Sequence, residues 1–143
     1  MVRNRTTFYV LSFTWGILMT LAGCLVAAAL LVAGYRPKKY GYCWYFEVGK
    51  GWGGLEMGIF FLVSKDASEH TKMHEHGHGF QNCKYGPAMV GISIASAVRY
   101  WYREFKYYRK GKLPPTSYDS VWFEGEATKL GTDFMSTFKD QLN

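Results

Sequence analysis

The segment His70–His78 reads HTKMHEHGH and contains all four histidines of the 143-residue chain. His74 and His78 are four residues apart, so on a helix both imidazoles project from one face and can bind a single metal ion. Glu75 follows His74 directly and is close enough to reach a water molecule beside that ion. His76 is two residues from His74 and therefore points to nearly the opposite side. The segment predicts a helix in which His74 and His78, but not His76, are ligands.

The spacing His-Glu-x-x-His is a zinc hydrolase motif. In it two imidazoles bind Zn²⁺ and the carboxylate between them acts as general base toward water. This interpretation makes Glu75 the catalytic residue. A catalytic zinc site usually has three protein ligands and one water, so one more ligand is needed. His70 is one turn before His74, but it lies near the predicted helix start, where a surface histidine is the favoured interpretation.

The segments around the motif predict an α+β fold. Tyr42–Val48 is rich in aromatic residues and β-formers, and Leu55–Val63 is a second predicted strand after a glycine-rich turn, so the two predict a β-hairpin. The motif helix is expected to begin near residues Glu69–Thr71 and to run to about Lys84. It ends ahead of the sequence Tyr85-Gly86-Pro87, which is a helix stop.

Two further helices are predicted after the motif. Ala88–Val98 is apolar but short for a membrane span, so it predicts either a buried helix or one that enters the membrane from its interface. This helix is expected to continue to about Lys110. The last helix is predicted from Tyr118 or Asp119, as a cap, to Leu130, with the following glycine as its end.

The N-terminal part of the chain predicts a transmembrane anchor. Phe8–Tyr35 contains no charged residue, and a helix of that length would be about 40 Å long at ~1.5 Å per residue. That is enough to cross a bilayer with some tilt. The predicted division is an anchor in residues 1–36 and a metal-binding domain in residues 37–143. Leu21–Cys24 has the pattern of a lipoprotein cleavage box, but the sequence after Cys24 stays apolar instead of becoming a polar tether.

Charge and composition predict a lipid bilayer as a partner. The formal charge is +6, yet nearly half of the residues are hydrophobic and 18% are aromatic. Basic and aromatic residues alternate in Arg99–Lys110, which suits a membrane interface with anionic lipid. Stacking on single-stranded nucleic acid uses the same residue types, but a nucleic-acid binder would place its basic residues on a polar face, so no nucleic acid is expected. Positive charge is heavier after the apolar run than before it, which places the domain in the cytoplasm.

The motif and its surroundings resemble the zincin metallopeptidases. Their metzincin branch has glycine and histidine where this chain has Gln81 and Lys84, so that branch is excluded. The gluzincin branch takes a glutamate from a later helix as the third zinc ligand. The pattern HEHGHGFQ, GP, an apolar segment and WFEGEATKLG also resembles a group of small bacterial membrane proteins, over most of the chain from Gly53 onward. The resemblance implies Glu124 as the third ligand, with Glu126 as the alternative.

The resemblance also implies supporting parts. Many gluzincins have an aspartate four residues after the ligand glutamate, where it orients a ligand histidine. This chain has Thr128 there, and Asp133 or a backbone carbonyl is the expected substitute. An edge strand ahead of the motif helix would pair with an extended peptide, and Gly58–Val63 is the candidate strand. Tyr118 is a candidate donor to the oxyanion.

These observations predict a zinc-dependent metallopeptidase anchored in the bacterial inner membrane, with its zinc domain facing the cytoplasm. It would hydrolyse peptide bonds in a peptide or protein substrate, with Glu75 as general base. One alternative is a non-enzymatic membrane protein with a structural or regulatory metal, which a fourth protein ligand such as His70 would favour. The other is a metal-free protein that binds a lipid surface.

Overall fold

The computed structural model describes residue 2 and residues 4–140, and the predicted α+β class is confirmed. Five helices and four strands follow in chain order: α1 (Arg5–Phe13), α2 (Ile17–Val32), β1 (Lys38–Tyr40), β2 (Cys43–Glu47), β3 (Gly54–Met57), β4 (Phe60–Val63), α3 (Glu69–Tyr85), α4 (Met89–Lys106) and α5 (Trp122–Asp140). Short 3₁₀ turns lie at Gly86–Ala88, Tyr108–Lys110 and Tyr118–Ser120.

The four strands form one mixed sheet in the order β1-β2-β4-β3. β1 and β2 are antiparallel, β3 and β4 are antiparallel, and β2 runs parallel to β4. The predicted hairpin between Tyr42–Val48 and Leu55–Val63 is therefore wrong. Gly58 adopts a φ of 74° and turns the second segment back on itself, which divides it into β3 and β4. The candidate edge strand Gly58–Val63 is also wrong, because β4 lies inside the sheet and β3 lies at its edge.

The N-terminal apolar run forms two helices instead of one. α1 and α2 are bent by 93° relative to each other, so the prediction of a continuous helix over Phe8–Tyr35 is wrong. Across residues 4–140 no single helix has both the length and the apolar composition of a membrane span, although α1 and α2 pass that test together. A residue of α3 stabilises the break between α1 and α2. Asn82 Nδ2 donates to the Gly16 carbonyl oxygen at 3.2 Å. A Cβ at Gly16 would lie 2.4 Å from the same nitrogen, so a larger residue there would displace the Asn82 amide.

Both N-terminal helices pack against the rest of the chain. Phe8 of α1 is fully buried in an aromatic core with Phe80 and Phe134. α2 contacts the β3–β4 turn so closely that a Cβ at Gly23 would lie 2.1 Å from the Met57 carbonyl oxygen. The division into an anchor and a domain at residue 36 stays a prediction, and the two parts share these buried contacts.

The α3 and α5 helices touch through their backbones at two glycines. A Cβ at Gly77 would lie 1.8 Å from the Ala127 carbonyl oxygen, and a Cβ at Gly131 would lie 2.0 Å from the Met73 carbonyl oxygen. The predicted end of the last helix at Leu130 is therefore wrong, since α5 begins at Trp122 and continues through Gly131. The glycine that reads as a helix stop in the sequence serves here to bring two helices together.

We predict that Gly77→Ala lowers the free energy of unfolding by at least ~1–3 kcal/mol, the usual cost of overpacking, because the methyl group meets backbone that cannot rotate away. The measurement is chemical denaturation followed by circular dichroism. Gly91→Ala is the matched control: Gly91 is an exposed helical glycine, and a methyl group added there would have no other atom within 4 Å. That change should be neutral or stabilising by up to ~1 kcal/mol. Equal stability of the two variants would contradict the contact.

Candidate metal centre

Three donor atoms from α3 and α5 meet in a buried cluster. His74 and His78 project from one face of α3, and their Nε2 atoms are 3.1 Å apart. Glu124, in the first turn of α5, places its Oε2 atom 3.1 Å from His74 Nε2 and 3.3 Å from His78 Nε2. All three side chains are buried, and Glu124 is 0% exposed. This group can hold a metal ion.

The size of the triangle fits a small tetrahedral ion. Zinc binds nitrogen and oxygen donors at about 2.0–2.2 Å, so a tetrahedral arrangement separates two donors by about 3.3–3.6 Å. The observed separations of 3.1–3.3 Å lie at or just below the lower limit of that range. Among the described residues, Glu124 Oε2 is buried without a well-oriented hydrogen bond, although both imidazole nitrogens are close. The three atoms therefore converge on a common point more than they bond to one another.

Gln81 determines which nitrogen of His78 faces the cluster. The Gln81 Nε2 atom donates to the Phe123 carbonyl oxygen at 2.7 Å and to Glu126 Oε2 at 2.9 Å. Its Oε1 atom therefore faces His78 Nδ1, at 2.7 Å. An amide oxygen only accepts, so His78 carries a proton on Nδ1. When His78 is neutral, its Nε2 presents a lone pair to the cluster, which is the form that binds a metal.

Protons would compete with any metal ion for this cluster. Burial lowers the pKa of His78, but the adjacent Glu124 carboxylate and the nearby carboxylates of Glu75 and Glu56 outweigh burial and raise that pKa to about 9. Burial opposes ionisation of Glu124, yet the adjacent imidazoles of His74 and His78 hold the pKa of Glu124 well below its usual range. A cation is therefore favoured at the cluster, either as a proton on imidazole or as a metal ion that displaces it.

Glu126 lies away from the cluster and serves the Gln81 network. Its carboxylate accepts hydrogen bonds from Gln81 and from the Tyr85 hydroxyl, the latter at 2.7 Å, and pairs with Lys84. The structure thus brings Glu124, and not Glu126, to the two histidines.

Asp119, which the sequence does not indicate as a site residue, lies close to His74 Nδ1. His74 Nδ1 is 2.8 Å from Thr128 Oγ1 and 4.0 Å from Asp119 Oδ1. Asp133, the expected substitute for the missing aspartate, is exposed on α5. The sequence offered Asp119 only as a helix cap. Its nearness to His74 depends on the turn at Tyr118–Ser120, and no spacing rule in the sequence predicts the path of that turn.

Glu75 lies beside the cluster at the wall of a cavity of about 620 Å³. The side chain is 6% exposed and packs against Gly54, where a Cβ would lie 2.5 Å from Glu75 Oε1. Burial raises the pKa of Glu75, while the positive charges of His74 and His78 partly oppose that shift. A buried carboxylate with a raised pKa is a better proton acceptor near neutral pH. Its catalytic role stays a prediction.

The cavity is mostly apolar, with a few polar groups near Glu124. Its apolar walls are formed by aromatic and aliphatic side chains from the β3 region, α4 and the turn after α4: Trp52, Leu55, Ala97, Tyr100, Trp101 and Tyr108. Ser96 donates to Glu124 Oε1, and the Tyr118 hydroxyl is 3.3 Å from Ser96 Oγ. Burial raises the pKa of Tyr118, so its hydroxyl keeps its proton and can donate. Ser96 belongs to an apolar segment of the sequence and gave no signal there.

The other two histidines are outside the triangle. His70 is exposed, and its ring centroid lies 6.5 Å from that of His74. His76 is fully buried on the opposite side of α3, where its Nε2 accepts a hydrogen bond from the Tyr42 amide at 3.1 Å. It packs against Phe80 and Phe134, and burial lowers the pKa of His76 to about 3. His76 is therefore a neutral core residue.

The fold and the geometry together define a buried His-His-Glu site beside an apolar cavity in an α+β protein. Comparisons with protein-family models, with curated proteins and with solved structures found no match to this chain.

We predict that Gln81→Met weakens zinc binding by ~10–100-fold, the usual effect of removing a group that orients a ligand histidine. Methionine has a similar length but cannot accept the proton of His78 Nδ1. The measurement is competition with a chromophoric zinc chelator. Lys84→Met is the matched control, because it removes an exposed partner of Glu126 without changing Gln81, and it should shift the dissociation constant much less. Equal affinities for Gln81→Met and wild type would contradict the role given to Gln81.

We also predict a pH-dependent loss of stability from His76. The unfolded imidazole has a pKa of about 6.5, whereas the folded one has a pKa of about 3. As the pH falls below 6.5, His76 becomes protonated in the unfolded state but stays neutral in the folded state. The free energy of unfolding therefore decreases until about pH 3. By pH 4.5 the loss should be ~2–3 kcal/mol relative to pH 7, at ~1.4 kcal/mol per pH unit. Urea denaturation at a series of pH values measures it.

The control for this pH effect is His76→Phe, which keeps an aromatic ring in the core and removes the titrating group. Other groups of the chain titrate equally in both proteins, so the quantity of interest is the difference between the two pH profiles. Wild type should lose ~2–3 kcal/mol more than His76→Phe between pH 7 and pH 4.5. Parallel profiles would show that His76 is protonated in the folded state as easily as in the unfolded one.

Proposed function

We propose that the protein is a membrane-anchored, zinc-dependent peptidase that hydrolyses peptide bonds with Glu75 as general base. The observation that carries this proposal is the convergence of His74, His78 and Glu124 beside a cavity that His74, His78 and Glu75 line. A buried carboxylate next to a cluster of metal donors is the arrangement that metal-assisted hydrolysis needs.

The donor set supports zinc. Two imidazole nitrogens and one carboxylate oxygen are ligands that zinc prefers, and three protein donors leave one position for water or substrate. His70, the expected fourth ligand of a closed site, is exposed and has a ring centroid 6.5 Å from that of His74, which favours an open site. If these residues hold zinc, the ion would supply Lewis-acid chemistry: it would polarise a carbonyl group and make a water molecule acidic enough to lose its proton near neutral pH.

Glu75 accepts that proton and later delivers it to the leaving amine. Contact with Gly54 fixes the carboxylate at one position of the cavity wall. The raised pKa of Glu75, which follows first from burial, lets the carboxyl group hold the proton long enough to pass it on.

Tyr118 is the proposed donor to the developing oxyanion. Its hydroxyl lies at the cavity wall near Ser96 and Glu124, and its raised pKa keeps it protonated. The turn that carries it is held by Arg99, whose Nη2 atom donates to the carbonyl oxygens of Ser117 and Tyr118 at 3.2 and 3.1 Å. A donor fixed before the reaction costs little reorganisation when charge develops.

β3 is the proposed binding strand for the substrate. In the described part of the chain β3 pairs only with β4, so its other edge has free backbone groups, and residues Gly53–Glu56 line the cavity. An extended peptide added to this edge passes beside Glu75, because Gly54 contacts that carboxylate. The proposed substrate is therefore a peptide or an extended protein segment.

The bent pair α1–α2 is the proposed membrane anchor. Support comes from large apolar side chains that stay exposed along this part of the chain: Val10, Phe13, Trp15, Leu18, Leu21, Leu25, Leu31 and Val32. An exposed apolar surface of this size indicates contact with lipid or another protein. The excess of positive charge after the pair favours a domain on the cytoplasmic side of a bacterial inner membrane.

One observation favours a second candidate, a structural or regulatory metal site. His74 Nδ1 contacts a neutral hydroxyl group, Thr128 Oγ1, where a carboxylate would raise the basicity of the imidazole. Asp119, at 4.0 Å, supplies only part of that charge. The second candidate predicts bound zinc without any peptide hydrolysis.

We predict that the purified protein holds about one zinc per chain, and that Glu75→Gln keeps the zinc and loses hydrolysis by at least ~10²-fold, the usual contribution of a general base. Glutamine preserves the size and the packing against Gly54 but cannot accept the proton. Zinc is measured by mass spectrometry, and hydrolysis with a peptide library and detergent-solubilised protein.

Two controls accompany this variant. Glu69→Gln changes an exposed carboxylate of the same helix and should leave both zinc and hydrolysis unchanged. Glu124→Gln should lose zinc, whereas Glu126→Gln should keep it. If wild type and Glu75→Gln cleave equally, the activity does not use Glu75. If neither cleaves any peptide while zinc is bound, the structural or regulatory role is favoured.

A further inference from the structure

The α4 helix has an apolar outer face. Five large hydrophobic residues on it are more than half exposed: Ile94, Val98, Trp101, Tyr102 and Phe105. Four of them, at positions 94, 98, 101 and 105, recur at intervals of four, three and four residues, so they form one stripe along the helix. On a helix that faces water, such a stripe would point toward the protein core. We call these five residues the α4 stripe.

Three polar side chains of α4 bind other parts of the protein. Arg103 is 6% exposed, and its Nη2 atom donates to the Thr116 carbonyl oxygen at 2.8 Å. Arg99 donates to the turn at Tyr118, and Ser96 donates to Glu124. Two arginines of this helix, one of them buried, therefore bind backbone carbonyl groups while large apolar side chains stay exposed. This inverted distribution is expected for a helix that contacts an apolar medium.

The charged residues near the α4 stripe indicate which apolar medium the helix contacts. Lys106 Nζ lies 4.8 Å from the centroid of the Tyr102 ring, and the guanidinium of Arg109 lies 4.4 Å from that of Phe105. Exposed cations continue along the chain at Lys110 and Lys112, against one partly exposed acid, Glu104. Aromatic rings beside lysine and arginine are typical of the headgroup layer, where anionic phosphate attracts the cations.

We propose that α4 lies on an anionic lipid bilayer, with the α4 stripe in the acyl boundary and Lys106, Arg109 and Lys110 among the lipid phosphates. The α4 helix packs beside α2, because Met19 of α2 and Met89 of α4 share one buried cluster. An amphipathic helix in this position lies along the membrane plane and does not cross it.

The position of α4 on the bilayer also indicates a class of substrate. This inference rests on the proposed peptidase function. Trp101 belongs to the α4 stripe and lines the cavity of the metal centre, and the exposed Tyr108 lines the same cavity. The cavity therefore opens at the level of the lipid headgroups. The substrate class that fits is an extended segment of a membrane protein close to the bilayer surface.

Site-directed fluorescence in vesicles tests the surface separately from the chemistry. The full chain, with Cys24→Ser, is reconstituted in phosphatidylcholine vesicles with or without phosphatidylglycerol. A polarity-sensitive fluorophore is attached to Val98→Cys or, as the matched control, to Lys129→Cys on an exposed position of α5. The native Cys43 and Cys83 are buried and are protected from the reagent. No step depends on zinc or on hydrolysis, so failure here leaves the peptidase proposal standing.

The label at position 98 should emit at shorter wavelength, be quenched by a lipid-attached nitroxide and resist quenching by aqueous iodide. The label at position 129 should emit at longer wavelength, resist the nitroxide and be quenched by iodide. Phosphatidylglycerol should strengthen the nitroxide quenching at position 98. The triple variant Lys106→Gln, Arg109→Gln and Lys110→Gln should lose that gain, and an unchanged gain would overturn the role of the cations. Equal iodide quenching at both positions would overturn the proposal. Protection at position 98 that disappears on dilution of protein in lipid would also overturn it, in favour of contact with a second copy.

Discussion

The backbone contact between α3 and α5 is the constraint on which the metal centre depends. At Gly77 the two helices approach so closely that a methyl group would lie 1.8 Å from the Ala127 carbonyl oxygen. Glu124 is one turn before Ala127, and His74 and His78 lie on either side of Gly77 in the sequence. The separation of the two backbones therefore sets the distances of 3.1 and 3.3 Å between the carboxylate and the imidazoles. Any residue larger than glycine at this contact would open the triangle.

His76 and His78 lie on the same helix, but their pKa values shift in opposite directions because their surroundings differ. His78 faces three carboxylates, and their charges outweigh burial and raise its pKa to about 9. His76 faces aromatic rings and a backbone amide, and burial alone lowers its pKa to about 3. Two residues of helical rotation separate an imidazole surrounded by carboxylates from a neutral core imidazole. The protonation of each histidine is therefore determined by which side of α3 it occupies.

Local sequence signals are sufficient to predict α3. Contacts between residues far apart in the sequence determine the break between α1 and α2 and the length of α5. The sequence Tyr85-Gly86-Pro87 indicates the end of α3, and at its start the Ser68 side chain accepts the Thr71 amide as a cap. The break between α1 and α2 depends on Asn82, which no local pattern in the apolar run can show. Gly131 reads as a helix end, because its packing against Met73 appears only in three dimensions. For the site, spacing indicates His74, Glu75 and His78, the resemblance adds Glu124, and Asp119 and Ser96 needed the structure.

The place of α5 after the other helices sets the order in which the metal centre is assembled. During synthesis His74 and His78 leave the ribosome well before Glu124, and the glycine contact forms only when α5 packs along α3. A nascent chain therefore carries two of the three donors and lacks the buried carboxylate. Two histidines alone would hold a metal ion weakly, because two ligands leave most of the coordination shell to water. The order of the helices therefore delays the complete donor set until α5 has packed.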